Sequence, residues 1–415
     1  MGIPNNALGL HAQGTKLYLG GKEFRNFGVN HFSLVLREIV QFGTMTNPGP
    51  AADFESMKQY GVKVVRAAFG WYDYAAWRDN YLLNKTAWYA ACDKVIAAAE
   101  AAGIGLIVNL TWSVKGFSEM TYYTGGATNG PRGLASHVLP EYQLMEAYIA
   151  EFVGRYKNSP AIYAWAFGNE FSATSGNEYY RTWKMDGTDP IAGGSANAGT
   201  KPDGSTYAAT DKLLTSDYQR YTRYVNRLFN RYDPHGRIVI SGNAIGTSFA
   251  VTARTSNALS ADSKAQWDGI ASTEFEPWIA YRDREYPVVC QHVYPGAAKP
   301  GPAFFSDGKL TYAQHIAYAK SCADAVGKPL VLEEWGSTRY GSIVDSGTTT
   351  LAQEQANFNT GLAAIQAAQI PVACLWNWDG QLTGSPAEWQ LWKLIDPSRT
   401  YQLDGIAAAN VALST

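Results

Sequence analysis

The sequence predicts a single (β/α)8 barrel, eight parallel strands with helices outside, and three observations carry this. The run Ala161-Ile-Tyr-Ala-Trp-Ala-Phe-Gly-Asn169-Glu170 is almost wholly apolar and ends in an amide and a carboxylate. Such a run suits a strand buried on both faces. The run Pro329-Leu-Val-Leu-Glu333-Glu334-Trp335-Gly336 has the same form. Eight such runs alternate with helical stretches along the chain, the pattern of a parallel sheet covered by helices. A carboxylate at the C-terminal end of a buried strand sits where barrel enzymes place their chemistry. Two of them, far apart in the chain, point to one site assembled from opposite sides of a closed sheet.

The first element is a β-hairpin over residues 16–24, with Gly20-Gly21 supplying positive φ at its turn. It belongs to a cap of about residues 1–24 at the bottom of the barrel. Strand one spans 24–32 and contains Gly28-Val-Asn30-His31. A short helix over 51–60 is stopped by Gly61, and strand two covers 62–69. Trp88, Cys92, Val95 and Ala99 keep helical spacing over 86–102, with Gly103 as C-cap. Strand three is 104–111, followed by a Gly-, Thr- and Tyr-rich loop to about 135. Met145, Ile149, Phe152 and Tyr156 mark a helix over 141–157, and the run from Ala161 is strand four. Residues of about 172–210, rich in Gly, Ser, Thr, Asn and Ala, form a long insertion. Loops of that length are functional or disordered, and Tyr179, Tyr180 and Trp183 suggest an ordered cleft wall.

A helix over 217–232 carries Tyr221, Val225, Leu228 and Tyr232 on one stripe and stops at Asp233-Pro234. Strand five is 237–241. A mixed, partly helical segment reaches Asp283, and strand six is 286–292. The remaining elements are a helix at 311–326 closed by Gly327, strand seven at 330–334, a helix at 351–368, strand eight at 371–378 and a last helix at about 405–413. The alternation leaves no boundary, so residues 1–415 read as one domain although the length would admit two or three.

Composition narrows the function classes. The hydrophobic fraction is 46%, ample for a large core, and net charge is −2 with 17% charged residues. Neither nucleic acid nor an anionic membrane is an expected partner. No run of about 18 apolar residues indicates a membrane span. The 13 Trp and 26 Tyr supply a large aromatic core or flat platforms for sugar rings, and composition does not choose between them. Cys92, Cys290, Cys322 and Cys374 lack CxxC spacing and read as small core residues. The start Met1-Gly-Ile-Pro-Asn-Asn lacks the regions of a signal peptide. The expectation is a secreted monomer whose native leader is absent from this chain; the alternative is a cytoplasmic protein.

Five features resemble glycoside hydrolase family 5, in the clan of retaining β-glycosidases on (β/α)8 barrels. They are Gly168-Asn169-Glu170 on strand four, Glu334-Trp335-Gly336 on strand seven, Val65-Arg66 on strand two, His292-Val-Tyr294-Pro295 after strand six, and Trp376 on strand eight. Singly each is weak; their order on the right strands is specific, and the resemblance covers nearly the whole chain. It implies Glu170 as general acid/base and Glu334 as nucleophile. The chemistry asks for such a pair: a retaining glycosidase holds two carboxyls about 5–5.5 Å apart. The resemblance further implies that Arg66 and Tyr294 hydrogen-bond the nucleophile, that Asn169 holds the sugar 2-hydroxyl, that His292 orients the acid/base, and that Trp376 rather than Trp378 forms the floor under the sugar. Trp112, Trp335, Trp71 and Tyr72 lie at strand ends and are candidates to line subsites. Taken alone, any of these glutamates caps a helix or pairs with arginine; taken together they read as a site. Strand alternation places Glu333 opposite Glu334, away from the barrel axis, as a structural paired carboxylate.

One departure is visible. Many family members carry His at the end of strand three, where this chain has Asn109-Leu-Thr111-Trp112. Thr111 takes the His position, which bears on sugar choice and leaves the carboxylate pair untouched. This replacement, the Glu-Glu-Trp-Gly run and the His-Val-Tyr-Pro run lean to the β-mannanase-like branch. No HExxH, GxSxG, Walker A or GxGxxG motif is present, so zinc, serine-hydrolase and nucleotide chemistry are not expected. Asp186 and Asp189 lack an ordered series of calcium ligands. The expectation is therefore a cofactor-free, metal-free retaining hydrolase cutting β-1,4-mannan internally. The alternatives are a β-glucanase, cellulase or exo-acting β-glycosidase of the same clan and, from another class, a non-catalytic carbohydrate-binding barrel.

Overall fold

The computed structural model describes residues 3–39, 48–70, 77–112, 116–125, 128–171, 205, 211, 215–243, 283–295, 311–337, 350–379, 393–395 and 397–414. The 172–210 insertion with its aromatic and aspartate residues falls outside them, apart from residue 205. So do Trp71, Tyr72 and most of the mixed segment before Asp283.

Three short strands open the chain: β1 (Leu10–Gln13), β2 (Lys16–Leu19) and β3 (Lys22–Glu23). Gly20 and Gly21, at φ 54 and 74, make the two-residue turn between β2 and β3, a geometry closed to most side chains. The extra strand β1 pairs with β2 ahead of the expected hairpin. Leu10, Leu17 and Phe24 enter the same buried cluster as Val64, Ile107, Ile238 and Val288, which sit at the N-terminal side of the barrel strands. The small sheet thus plugs the barrel bottom.

The barrel strands are β4 (Asn26–His31), β5 (Val64–Ala68), β6 (Gly105–Asn109), β7 (Ile162–Ala166), β8 (Val239–Ile240), β9 (Val289–Val293), β10 (Leu330–Trp335) and β11 (Val372–Leu375). All neighbours pair in parallel in the order β8-β7-β6-β5-β4-β11-β10-β9. The ring closes where the His292 N–H donates to the Asn243 carbonyl at 3.1 Å. The fold is the predicted (β/α)8 barrel. Strand alternation divides its core into an interior layer (Ile107, Ala164, Ala166, Ile240, Cys290, Val331, Cys374) and a layer beneath the helices (Val65, Leu106, Val108, Trp165, Leu332).

The helices follow the apolar stripes. Lys85–Ala102 buries Trp88, Cys92, Val95 and Ala99 and ends at Gly103 with φ 68. Pro140–Tyr156 buries Met145, Ile149, Phe152 and Tyr156. Tyr312–Ala325 and Leu351–Ala367 each start with a capping box, Thr311 with Gln314 and Thr350 with Gln353. The stretch expected to be loop after strand three contains a helix, Gly116–Tyr123, and a 3-10 turn, Gly130–Ala135. Local sequence disguises this helix; Phe117 gains its place by packing on Trp77 and Phe167. The last helix, Thr400–Ser414, starts earlier than expected and docks under β4 through Asn410, which bonds both the N–H and the carbonyl of Phe27. All four cysteines are free and buried. Among the described residues, no helix is long and apolar enough to cross a membrane.

Candidate active site

The described candidate side chains come from the barrel strands or the segments just after them, and the barrel converges all of them but Trp335. Arg66 on β5 points inward because Val64 does, two residues before it. Wholly buried, it donates to Glu334 Oε1 at 2.7 Å, to Asn30 Oδ1 at 3.1 Å and to Asn169 Oδ1 at 2.6 Å. Tyr294 donates its hydroxyl to Glu334 Oε2 at 2.9 Å. The carboxylate of Glu334 is therefore held at both oxygens.

Glu170 faces it from β7. The chain leaves that strand through Gly168 at φ 136, whose carbonyl accepts from Asn109 Nδ2 at 2.9 Å. Glu170 itself sits at φ 47 with its N–H on the Gly242 carbonyl. A left-handed non-glycine backbone costs about 1–2 kcal/mol, and such cost is met where a side chain must be aimed. His292 Nδ1 lies 2.9 Å from Glu170 Oε1 and 3.5 Å from Glu334 Oε2. One carboxylate oxygen of Glu170, one of Glu334 and a ring nitrogen of His292 lie within 4.8 Å of one another. The Glu170 side chain is 27% exposed and that of Glu334 only 6%: one carboxyl meets solvent, the other does not.

Electrostatics separate the groups further. Burial pushes Glu334 above the ordinary glutamate range, and the Glu170 charge adds to this, against the pull of His292 and Arg66. Burial alone would lower His292, but the charges of Glu334 and Glu170 and the contacts to Glu170 and Glu333 raise it to about 9. His292 with Glu170 and Glu334, and His292 with Cys290 and Glu333, bring ligand-type atoms together. Arg66 supplies a cation to one carboxylate of each group, Glu334 in the first and Glu333 in the second.

Trp376 lies in the mouth with Phe32 and Trp112, and Tyr294 packs against that cluster. Trp378 lies in the helix layer, its indole N–H on Asp53 at 3.2 Å. Trp112 stands 5.8 Å from Trp376 between ring centroids and covers the Arg66 guanidinium at 4.5 Å. With 1% exposure it screens Arg66 more than it offers a platform.

Two expectations need correction. Trp335 does not line the mouth: it is fully buried beneath the helices, stacked on Phe358 at 5.5 Å with Phe27 at its edge. Glu333 does not point away from the axis. Leu332 pairs with Gln291 and Glu334 with His292, so Glu333 is the extra residue of a bulge. It follows Val331 inward by ordinary alternation, its Oε1 3.4 Å from Arg66 Nε, and the bulge brings Glu334 to the same face. It is the paired carboxylate expected, on the opposite face of the sheet.

Some supports were missed. Asn30 accepts from Arg66 and donates to the carbonyls of Glu333 and Cys374 at 2.8 and 3.1 Å. The one signal for it was an amide inside an apolar strand. A buried set joins His31 to Asp53 (2.9 Å), Arg37 to Asp53 (3.2 Å) and to Asp379, and Ser33 to Asp379 (2.6 Å). It ties the segment after β4 to the segment after Trp376, and none of its spacings marks it in sequence.

An eight-stranded parallel barrel with two glutamates facing across its mouth, one clamped by arginine and tyrosine, defines the class of glycoside-cleaving barrels. Residues 18–381 match the model of the cellulase family, glycosyl hydrolase family 5, and the chain belongs to that family. A stretch of 132 residues is 30% identical to the probable mannan endo-1,4-beta-mannosidase A-2 of Aspergillus terreus, covering 28% of this chain and a third (33%) of that protein. The fold is similar to the exo-beta-1,4-mannosidase Op5Man5 of Opitutaceae bacterium strain TAV5, with TM-score 0.57 and 14% identity over 94% of this chain and 60% of that one. It is similar also to the glycoside hydrolase family 5 mannosidase of Rhizomucor miehei, with TM-score 0.58 and 11% identity over 99% and 98% of the two chains. At such identities these likenesses concern fold alone.

Proposed function

We propose that this protein hydrolyses β-1,4-mannan at internal linkages by double displacement with retention. The observation that carries this is the pair of glutamates meeting within 4.8 Å across the mouth, with Glu334 pinned by Arg66 and Tyr294. The spacing supports a carboxylate that attacks the sugar directly; an inverting pair stands about 6.5–9.5 Å apart to admit a water. Glu334 attacks the anomeric carbon while Glu170 protonates the leaving oxygen. The glycosyl ester formed on Glu334 is then broken by a water that Glu170 deprotonates. The greater exposure of Glu170 suits the group that must meet leaving alcohol and water in turn. Asn169 binds the sugar 2-hydroxyl and Trp376 supports the ring.

The choice of mannan rests on the partial relative named as a mannan endo-mannosidase and on Thr111 in place of the strand-three His. The runner-up is exo-action on the same linkage, the activity named for the Opitutaceae structure. Product release from mannan, glucomannan, cellulose, mixed-linkage glucan and xylan, with Glu334→Gln alongside, tests the proposal. Mixed manno-oligosaccharides from wild type alone are the expected result. Mannose alone favours exo-action, and binding without any release favours a non-catalytic barrel.

A pH dependence follows from the raised Glu334. The nucleophile works ionised, so activity is present above its shifted pKa and lost as pH falls through it. The acidic limb of kcat/KM, read over about pH 3 to 8, is expected above the ordinary glutamate value of 4.5. An acidic limb below that value would contradict the burial argument.

A further inference from the structure

Glu333 takes no part in the double displacement, yet it is fully buried and touches both helpers of the catalytic pair. Its Oε1 lies 3.4 Å from Arg66 Nε. Its Oε2 accepts the Cys290 thiol at 3.3 Å and stands 3.8 Å from His292 Nε2. The other nitrogen of that ring, Nδ1, meets Glu170 at 2.9 Å. Arg66 thus bridges Glu333 to Glu334, and His292 bridges Glu333 to Glu170. Building on the roles given above to Glu170 and Glu334, we propose that Glu333 is a positioning residue: its negative charge keeps His292 an imidazolium facing Glu170 and holds Arg66 against Glu334.

The surroundings leave few other sources for that control. From β5 the cluster receives Arg66, from β9 Cys290 and His292, from β10 Glu334, and from β11 Cys374. Tyr294 and Glu170 close it from the mouth, and Asn30 on β4 holds the Glu333 carbonyl. Without Glu333, Arg66 and a protonated His292 would be left facing Glu334 and Glu170. Burial penalises the Glu333 charge, but Arg66 and His292 outweigh it and hold the carboxyl below its usual range. An unpaired carboxylate so deep is strongly disfavoured, while Val331, the preceding inward residue of the same strand, shows that the interior accepts apolar side chains there. The bulge that inserts Glu333 is what allows one strand to present two carboxylates to one arginine.

Glu333→Gln keeps the shape and removes the charge. Removing a negative charge from a low-dielectric cluster makes every remaining proton easier to lose. Both limbs of the kcat/KM profile are therefore expected to move to lower pH by about one unit, with about a tenfold loss at the wild-type optimum. A purely structural role would lower the profile without moving it. The second readout needs no substrate: the NMR titration of His292, identified among the six histidines by its loss in His292→Gln. Its midpoint, expected near 9 in wild type, should fall by at least about one unit in Glu333→Gln. Glu333→Asp, which keeps the charge one methylene further back, is expected to restore most of the midpoint, and it serves if the Gln variant does not fold. A wild-type His292 titrating at 6.5 or below, or a midpoint and profile unmoved by both substitutions, overturns the proposal. A midpoint that falls in a protein inactive on every glycan upholds the coupling and sinks the mannanase reading instead.

Discussion

Glu334→Gln is expected to lower kcat on mannan by about four orders of magnitude or more, with the fold and ligand binding intact. The amide has the volume of the acid and keeps an oxygen for the Arg66 N–H, now at 2.7 Å from Glu334 Oε1. What it lacks is the anion that would form the glycosyl ester in the proposed mechanism. Four orders of magnitude are about 5.4 kcal/mol of transition-state stabilisation, more than a lost hydrogen bond supplies. Reducing-sugar release gives kcat, and calorimetric titration with a manno-oligosaccharide gives Kd. Wild-type kcat in this variant would refute the nucleophile assignment; weak binding with lost activity would point to a disordered mouth.

Arg66→Met is expected to destabilise the protein by about 3–5 kcal/mol at neutral pH, because two buried carboxylates then lose one shared cation. For a chain of 415 residues that is a fall of roughly 5 °C in Tm. The sign with pH is fixed by Glu333, whose carboxyl is held below its usual range. The stability drawn from this pair is present above the unfolded pKa and lost as pH falls through the folded one. The gap between wild type and Arg66→Met is therefore expected to be wide near pH 7 and to narrow towards about pH 3. Thermal unfolding at both pH values checks it. A gap of equal size at both would mean that Arg66 acts through packing against Trp112 and not through charge.

The parts of this molecule legible in sequence are those where local pattern and tertiary outcome coincide. A strand buried on both faces must be apolar, so a glutamate at its end stands out, and Glu170 and Glu334 were visible for that reason. Helices with one apolar stripe, such as Lys85–Ala102, declared themselves by period. Alternation failed at β10, because the bulge between Leu332 and Glu334 is decided by pairing with β9, which no spacing records. Alternation from Val331 already turns Glu333 inward; the inserted residue turns Glu334 inward as well and leaves Trp335 under the helices. The helix Gly116–Tyr123 was hidden for a related reason: Trp77 and Phe167 hold Phe117, and both come from elsewhere in the chain. The His31, Asp53, Arg37 and Asp379 network is long-range throughout and has no local signature.

The central claim is that Glu334 becomes covalently attached to the sugar. It is tested most directly by incubating the enzyme with a 2-deoxy-2-fluoro-β-mannosyl fluoride and locating the adduct by peptide mass spectrometry. The fluorine slows both steps and the fluoride leaving group restores the first, so the intermediate accumulates. The account predicts one fluoromannosyl unit per chain, on the peptide carrying Glu334 and absent from Glu334→Gln. A label on Glu170, or stoichiometric turnover with no adduct and release of the α-anomer, would contradict it.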